Sequence, residues 1–165
     1  MKKKDLRWLF LFPVYLLLGT IRHEGFHALA AVAEGAKIHQ FVFWPSLGPG
    51  GEFYFGYVSW QGTASWITTA APYAGDLLTF LAGFLLLASI RIQHRGLWIN
   101  ILILTMLSPL LNSAYNYGGG LRKMNDVGFL LHTLNPLAVH LYFAPTMTLY
   151  AFGIWYFVKK RGAPG

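Results

Sequence analysis

The sequence predicts an all-α membrane protein: a single membrane-embedded domain over residues 1–165, with about four transmembrane helices and a membrane-associated β-hairpin between the first and second. Three observations carry this. Hydrophobic residues make up 55% of the chain, charged residues only 12%, and the mean hydropathy is +0.45. Ordinary soluble domains carry about a quarter charged residues, so disorder is excluded and a freely soluble globule disfavoured. Four stretches, at about residues 8–33, 66–90, 97–115 and 136–158, are long and apolar enough to cross a hydrocarbon core of roughly 30 Å, which takes about 20 helical residues. Nine of the thirteen Lys and Arg residues flank these runs, at 2–7, 91–95 and 159–161. The net charge of +7 therefore marks helix ends held at a lipid surface rather than a nucleic-acid site.

The first span has a basic start, as a signal peptide would. Its apolar character resumes through Ala33 with no small-residue cleavage site, so it reads as a retained span. Residues 37–62 follow, as KIHQFVFW, PSLGPGG and EFYFGYVSW. Two aromatic and β-branched runs around a Gly/Pro turn predict a β-hairpin. Phe41, Phe43, Phe53, Phe55 and Tyr57 make it too apolar for a solvated loop, which places it at or in the membrane face; an aromatic-belt loop anchored by Trp44 and Trp60 is the plainer alternative. Residues 118–120, three glycines after the third span, read as a flexible loop. Asn135 before Pro136 predicts a capped start for the last helix, and Pro145 a kink within it. The chain has no cysteine, so disulfides, thiolate metal sites and a cysteine nucleophile are excluded.

Only six acidic residues are present, and Glu24 falls inside an apolar span between His23 and His27. Ionisable groups at that depth are costly and by default mark function. The string His23-Glu24-Gly25-Phe26-His27 is an HExxH. Residues four apart share a helix face, so both imidazoles can hold one metal ion, with Glu24 beside them as a base. Zinc suits imidazole and carboxylate ligands with an open position. A polar seam between helices is the plainer account. Arg22 is expected to pair with Glu24 or another acid, or to reach the surface.

A third ligand is needed. Glu34 lies seven residues past His27, about 10 Å along a helix, too far for one ion. Asp76 and Asp126 remain. The third span runs in the same direction as the first, so its exit lies on the HExxH side, and Asp126 follows that exit with Asn125 as a cap. Topology thus favours Asp126, with Asp76 the rival. Asn112 is placed to donate to a developing oxyanion or to bond between helices. His39, His94, His132 and His140 fall near predicted ends and read as interface residues.

HEGFHALAAVAEGAKI resembles the site-2 protease family of intramembrane zinc metalloproteases. The aromatic hairpin resembles that family's membrane-associated hairpin, and Ala71-Pro72-Tyr73-Ala74-Gly75 its AGP-type segment. The resemblance covers roughly residues 8–130. It implies that an Asn-bearing turn (Asn112 or Asn116) precedes an Asp supplying the third zinc ligand, here Asp126. This chain departs from that motif in having Val127 and Gly128 after the Asp and 118–120 as glycines before it. The implied activity is zinc-dependent hydrolysis of transmembrane or membrane-proximal protein segments, in a multi-pass protein of the cell membrane. The substrate helix must unwind before attack, and the hairpin's strand edge offers a pairing site. A catalytically silent scaffold of the same fold is the alternative, and an ion transporter a more distant one. The charge count puts the N-terminus in the cytoplasm with the site opening outward. The family resemblance implies the reverse.

Overall fold

The computed structural model describes residues 10–47, 51, 53–122 and 125–162. The basic run at 2–7, the start of the first expected span, the hairpin tip at 48–50 and Lys123 lie outside them. The chain folds as α1 (Phe12–Ala33), β1 (Lys37–Val42), β2 (Ser46–Leu47), β3 (Phe53–Tyr54), β4 (Tyr57–Gln61), α2 (Trp66–Ser89), α3 (Arg95–Leu102), a π-helical turn (Ile103–Leu107), α4 (Ser108–Gly120), α5 (Asp126–Thr133) and α6 (Pro136–Gly162).

Three continuous stretches, Trp66–Ser89, Arg95–Gly120 and Pro136–Arg161, are long and apolar enough to cross a membrane. The sequence led us to expect four; α1, which carries Arg22, Glu24 and two histidines, is not among them. Leu78, Leu85, Leu141 and Trp155 point outward from α2 and α6 and are more than half exposed. Apolar side chains on the outer as well as the inner faces suit helices surrounded by lipid.

Hydrogen bonds fix the helix directions. Tyr15 of α1 donates to Asn100 of α3, Arg22 to Leu104 and Ser108, and His23 lies against Asn112 of α4. α1 therefore runs parallel to the α3–α4 rod. α2 runs antiparallel to α1, with Thr68 at His27 and Asp76 at Arg22. Tyr142 of α6 meets Tyr73 of α2, while Arg161 reaches Ile92 and Gln93, so α6 runs with α2. One end of the bundle thus gathers Arg91, Arg95 and the basic end of α6; the other holds the hairpin and the turn into α5. Two apolar clusters fill the interior: Tyr73, Val127, Leu130, Val139 and Phe143 at the hairpin end, and Phe80, Leu87, Met106, Tyr150 and Phe157 towards the basic end.

The π-turn has a local cause. Ser108 N–H bonds back to the Ile103 carbonyl, an i→i+5 register. One residue further, that register brings the Pro109 nitrogen to the Leu104 carbonyl, and proline has no N–H to give. Arg22 Nη1 supplies the donor instead, at 3.0 Å.

β1 and β4 pair antiparallel with a bulge between Ile38 and Gln40, and β2 pairs with β3. This is the expected hairpin, and it folds back along α1. Gly56 lies so close to Thr20 and to the Val42 carbonyl that a Cβ there would collide with both. The three glycines at 118–120, expected as a loop, are instead the last turn of α4. Gly120 sits against Gly128 N, Val127 and Asn125, leaving no room for a side chain, and this packing outweighs the poor helix propensity. α6 begins as expected, with Asn135 Oδ1 accepting from Leu137 N–H at 2.9 Å, and it continues through Pro145.

Candidate metal centre

His23 and His27 lie one turn apart on α1, both buried, with ring centroids 4.9 Å apart and nearly perpendicular. Asp126 comes from the first turn of α5. Its position is set by Asn125, whose Oδ1 accepts from Gly128 N–H at 2.9 Å while its Nδ2 donates to the Asn116 carbonyl at 2.9 Å. The cap thus starts α5 and ties it to the end of α4. Asp126 Oδ2 lies 3.3 Å from His23 Nε2 and 3.1 Å from His27 Nε2. One ligand atom from each residue falls within 4.8 Å of the other two.

The donor chemistry fits a metal ion. His27 Nδ1 lies 2.8 Å from the Thr68 carbonyl, which can only accept, so Nδ1 carries the hydrogen and Nε2 offers its lone pair towards Asp126. A lone pair and a carboxylate oxygen facing each other call for a cation between them, a proton or a metal. Burial alone would push the Asp126 carboxyl up. With the imidazoles protonated, their hydrogen bonds and positive charge outweigh it and hold the group well below the usual carboxylate range. Tyr73, 2% exposed, turns its hydroxyl towards the Asp126 carboxylate.

Glu24 is half-buried beside the two histidines, facing the backbone of Val58 in β4, with His23, His27 and Asp126 as its charged neighbours. The Trp60 ring lies 6.4 Å from that of His27. With Gly56 at Thr20, β4 therefore runs along the ligand-bearing part of α1.

Asp76, the rival third ligand, is engaged elsewhere. Arg22 Nη2 lies 2.8 Å from its Oδ1, and Asn112 Nδ2 donates to its Oδ2 at 2.7 Å. Arg22 thus pairs with Asp76 across two helices and not with its chain neighbour Glu24. Asn112 Nδ2 also lies 3.0 Å from His23 Nδ1, while its Oδ1 accepts from Asn116. The structure displays the interhelical role of Asn112; its amide hydrogens are directed at Asp76 and His23 rather than at the space between the ligands. Glu34 joins the end of α1 to the start of α2, accepting from Ser65 N–H at 2.8 Å, from Thr68 Oγ1 at 2.7 Å and from Ser65 Oγ. His94 caps α3, and His140 Nδ1 lies 2.8 Å from the Tyr117 hydroxyl. Among the described residues the only metal-competent cluster is His23, His27 and Asp126.

Thr68 and Tyr73 were not legible as site residues. A backbone carbonyl leaves no mark in a sequence, and a tyrosine in an apolar helix reads as core. The chain matches no protein-family model, and no curated protein or solved structure shows significant similarity to it.

Proposed function

We propose that this chain is an intramembrane zinc metalloprotease, of the site-2 protease kind, that hydrolyses peptide bonds in transmembrane or membrane-proximal segments of other proteins. The observation that carries the reading is the convergence of His23, His27 and Asp126 on one point, with Glu24 beside them. In this reading α1 is a fourth span of a multi-pass membrane protein, packed so that its ligand face looks into the bundle while the hairpin dips into the bilayer alongside it.

Two imidazoles and a carboxylate suit zinc, which when bound polarises a scissile carbonyl and brings the pKa of water towards 7. The chain's own residues do the rest. The Thr68 carbonyl holds His27 in the tautomer that exposes Nε2. Glu24 takes a proton from the water that attacks the carbonyl carbon, and passes it to the amide nitrogen as the C–N bond breaks, leaving a carboxylic acid and an amine. Among the described residues β4 pairs with β1 alone, and Val58 and Trp60 lie by Glu24 and His27. A substrate unwound into extended form can pair with the other edge and lay its backbone across the site.

The test is Glu24→Gln, whose amide cannot accept the proton. The variant is expected to keep its zinc and helical content and to lose roughly 10²–10⁴-fold in cleavage of a membrane-helix substrate in detergent or liposomes. Unchanged turnover would end this reading.

A further inference from the structure

We infer that the end of the bundle opposite the hairpin binds the phosphate of an anionic phospholipid, held jointly by the α2–α3 turn and the last turn of α6. This end lies away from the metal centre, so the inference stands apart from the hydrolytic reading.

The charges come in two short runs of sequence, Arg91 to Arg95 and Lys159 to Arg161, and the fold brings the runs together. Arg161 is the join. Its Nη1 donates to the Ile92 carbonyl at 3.2 Å and its Nη2 to the Gln93 carbonyl at 3.4 Å. The guanidinium lies over the Trp98 ring, 4.7 Å from its centre. Arg91 is next in the chain to a residue that Arg161 touches, and the charge of Arg95 also acts on Arg161. Arg91, Lys159 and Lys160 are exposed. Like charges gathered in this way repel unless an opposite charge answers them. Among the described residues the acids lie elsewhere. Glu24, Glu34 and Asp126 are at the hairpin end, and Asp76 is engaged by Arg22 and Asn112. The stretch leading into α1 carries Lys2, Lys3, Lys4 and Arg7 against Asp5 alone, so its net charge is also positive. The answering charge comes from outside the chain.

Aromatic and apolar neighbours show what kind of anion fits. Lys159 Nζ lies 4.9 Å from the centre of the Trp155 ring, and Lys160 Nζ 5.8 Å from that of Tyr156. Trp and Tyr settle at headgroup depth, and here they stand at the ends of two of the membrane-length helices. Beside the cations, Ile90, Leu97 and Val158 are about half exposed. Cations at ring level next to a bare apolar wall match an amphiphile, with its phosphate at the charges and an acyl chain along the wall. A soluble phosphate would use the charges and leave the wall bare. A zwitterionic headgroup brings its own cation to the patch, whereas a net negative one gains from each Lys and Arg there.

The experiment places the full-length protein in nanodiscs of phosphatidylcholine, alone or with phosphatidylglycerol added. It reads thermal unfolding, and counts by native mass spectrometry the lipids retained on transfer to detergent. The wild type is expected to retain phosphatidylglycerol preferentially and to melt about 5–10 °C higher in its presence. Arg91→Gln with Lys160→Gln removes two exposed charges and leaves Arg161 in place. This variant is expected to melt as the wild type does in phosphatidylcholine, and to bind phosphatidylglycerol roughly 10–30-fold more weakly. Lys37→Gln with Arg122→Gln removes two exposed charges at the hairpin end and is expected to keep the wild-type response. Equal melting of the wild type in the two lipids would overturn the inference. An equal loss in both double variants would do so too, by reducing the effect to overall charge. Inorganic phosphate added to phosphatidylcholine discs is expected to give no stabilisation; if it matched phosphatidylglycerol, the site would be one for a soluble anion and the choice of lipid would be wrong.

Discussion

Two carboxylates approach His23 from its two ring nitrogens, and their surroundings differ in kind. Asp76 reaches it through Asn112 on the Nδ1 side, with its side chain 1% exposed and a guanidinium 2.8 Å away. The other donors of that guanidinium go to Leu104 and Ser108, so the cluster closes on itself. Asp126 faces the Nε2 side, a third exposed, and is answered by two imidazoles. A fixed positive charge answers the first acid for as long as the protein is folded. The second acid is answered by groups that can bind a proton or a metal ion and release it. Both lie at helix junctions of the same small bundle, and the difference between framework and site lies in what each carboxylate faces.

The largest effect that would break this contrast is on the metal. Asp126→Ala removes one of three ligands and is expected to abolish stoichiometric zinc binding and peptide cleavage, with helical content retained. Folded Asp76→Ala is expected to keep its zinc. Zinc retained in Asp126→Ala together with its loss from folded Asp76→Ala would reverse the assignment and move the third ligand to α2.

The next effect is on folding. Asp76→Ala leaves the half-buried Arg22 without its ionic partner, which is expected to cost up to about 3 kcal/mol, less than for a fully buried pair because two other acceptors remain. Replacing both residues by apolar ones of similar size, as in Arg22→Met with Asp76→Leu, is expected to recover most of that stability, less the bond to the Leu104 carbonyl. Denaturation in mixed micelles reads both. A single variant as stable as the wild type would show that the pair does not hold the helices together.

How much of this the sequence displays depends on range. The hairpin, the apolar helices and the HExxH face are local patterns of period 2 or 3.6, and each appears in the fold. Counting spans puts Asp126 on the HExxH side, and the family-like order of an Asn-bearing span followed by an Asp is what prefers it to Asp76. The structure brings that residue to the two histidines because α1 and the α3–α4 rod run parallel. The Arg22–Asp76 pair is different: both charges are visible in the string, but nothing local tells Arg22 to pass over Glu24 for a residue 54 positions away. The π-turn was equally hidden, since it depends on Pro109 lacking an N–H and on Arg22 replacing it from another helix. Three consecutive glycines read as a loop, and only the approach of α5 to Gly120 makes them a helix end.

A smaller effect sharpens the contrast by loosening one side of it. Asn125→Ala removes the α5 cap and its tie to Asn116, and is expected to cost about 1 kcal/mol in stability. Because the cap also sets where Asp126 stands, zinc affinity is expected to fall about 10–100-fold, as for other groups that orient a ligand. Unchanged zinc affinity would show that Asp126 is positioned without its cap.

The smallest effect concerns Glu34, the acid among the described residues that belongs to neither cluster. Glu34 is half-buried, and hydrogen bonds from the Ser65 hydroxyl and amide and from Thr68 hold its carboxyl below the ordinary value. Its pKa is therefore lower folded than unfolded. The stability it contributes is present above the unfolded value of about 4.3 and is lost as pH falls through the folded one. Glu34→Gln is expected to be slightly less stable than the wild type at pH 7, and the two are expected to converge on acidification. Thr68 gives this a bearing on the site, because its hydroxyl bonds to Glu34 while its carbonyl bonds to His27. If Glu34 steadies that residue, acidification in this range also loosens the tautomer lock on His27. Melting curves of both proteins between pH 3 and 7, alongside zinc affinity at pH 7, test the point. A stability difference that grows on acidification would show that the bonds from Ser65 and Thr68 do not favour the charged form of Glu34.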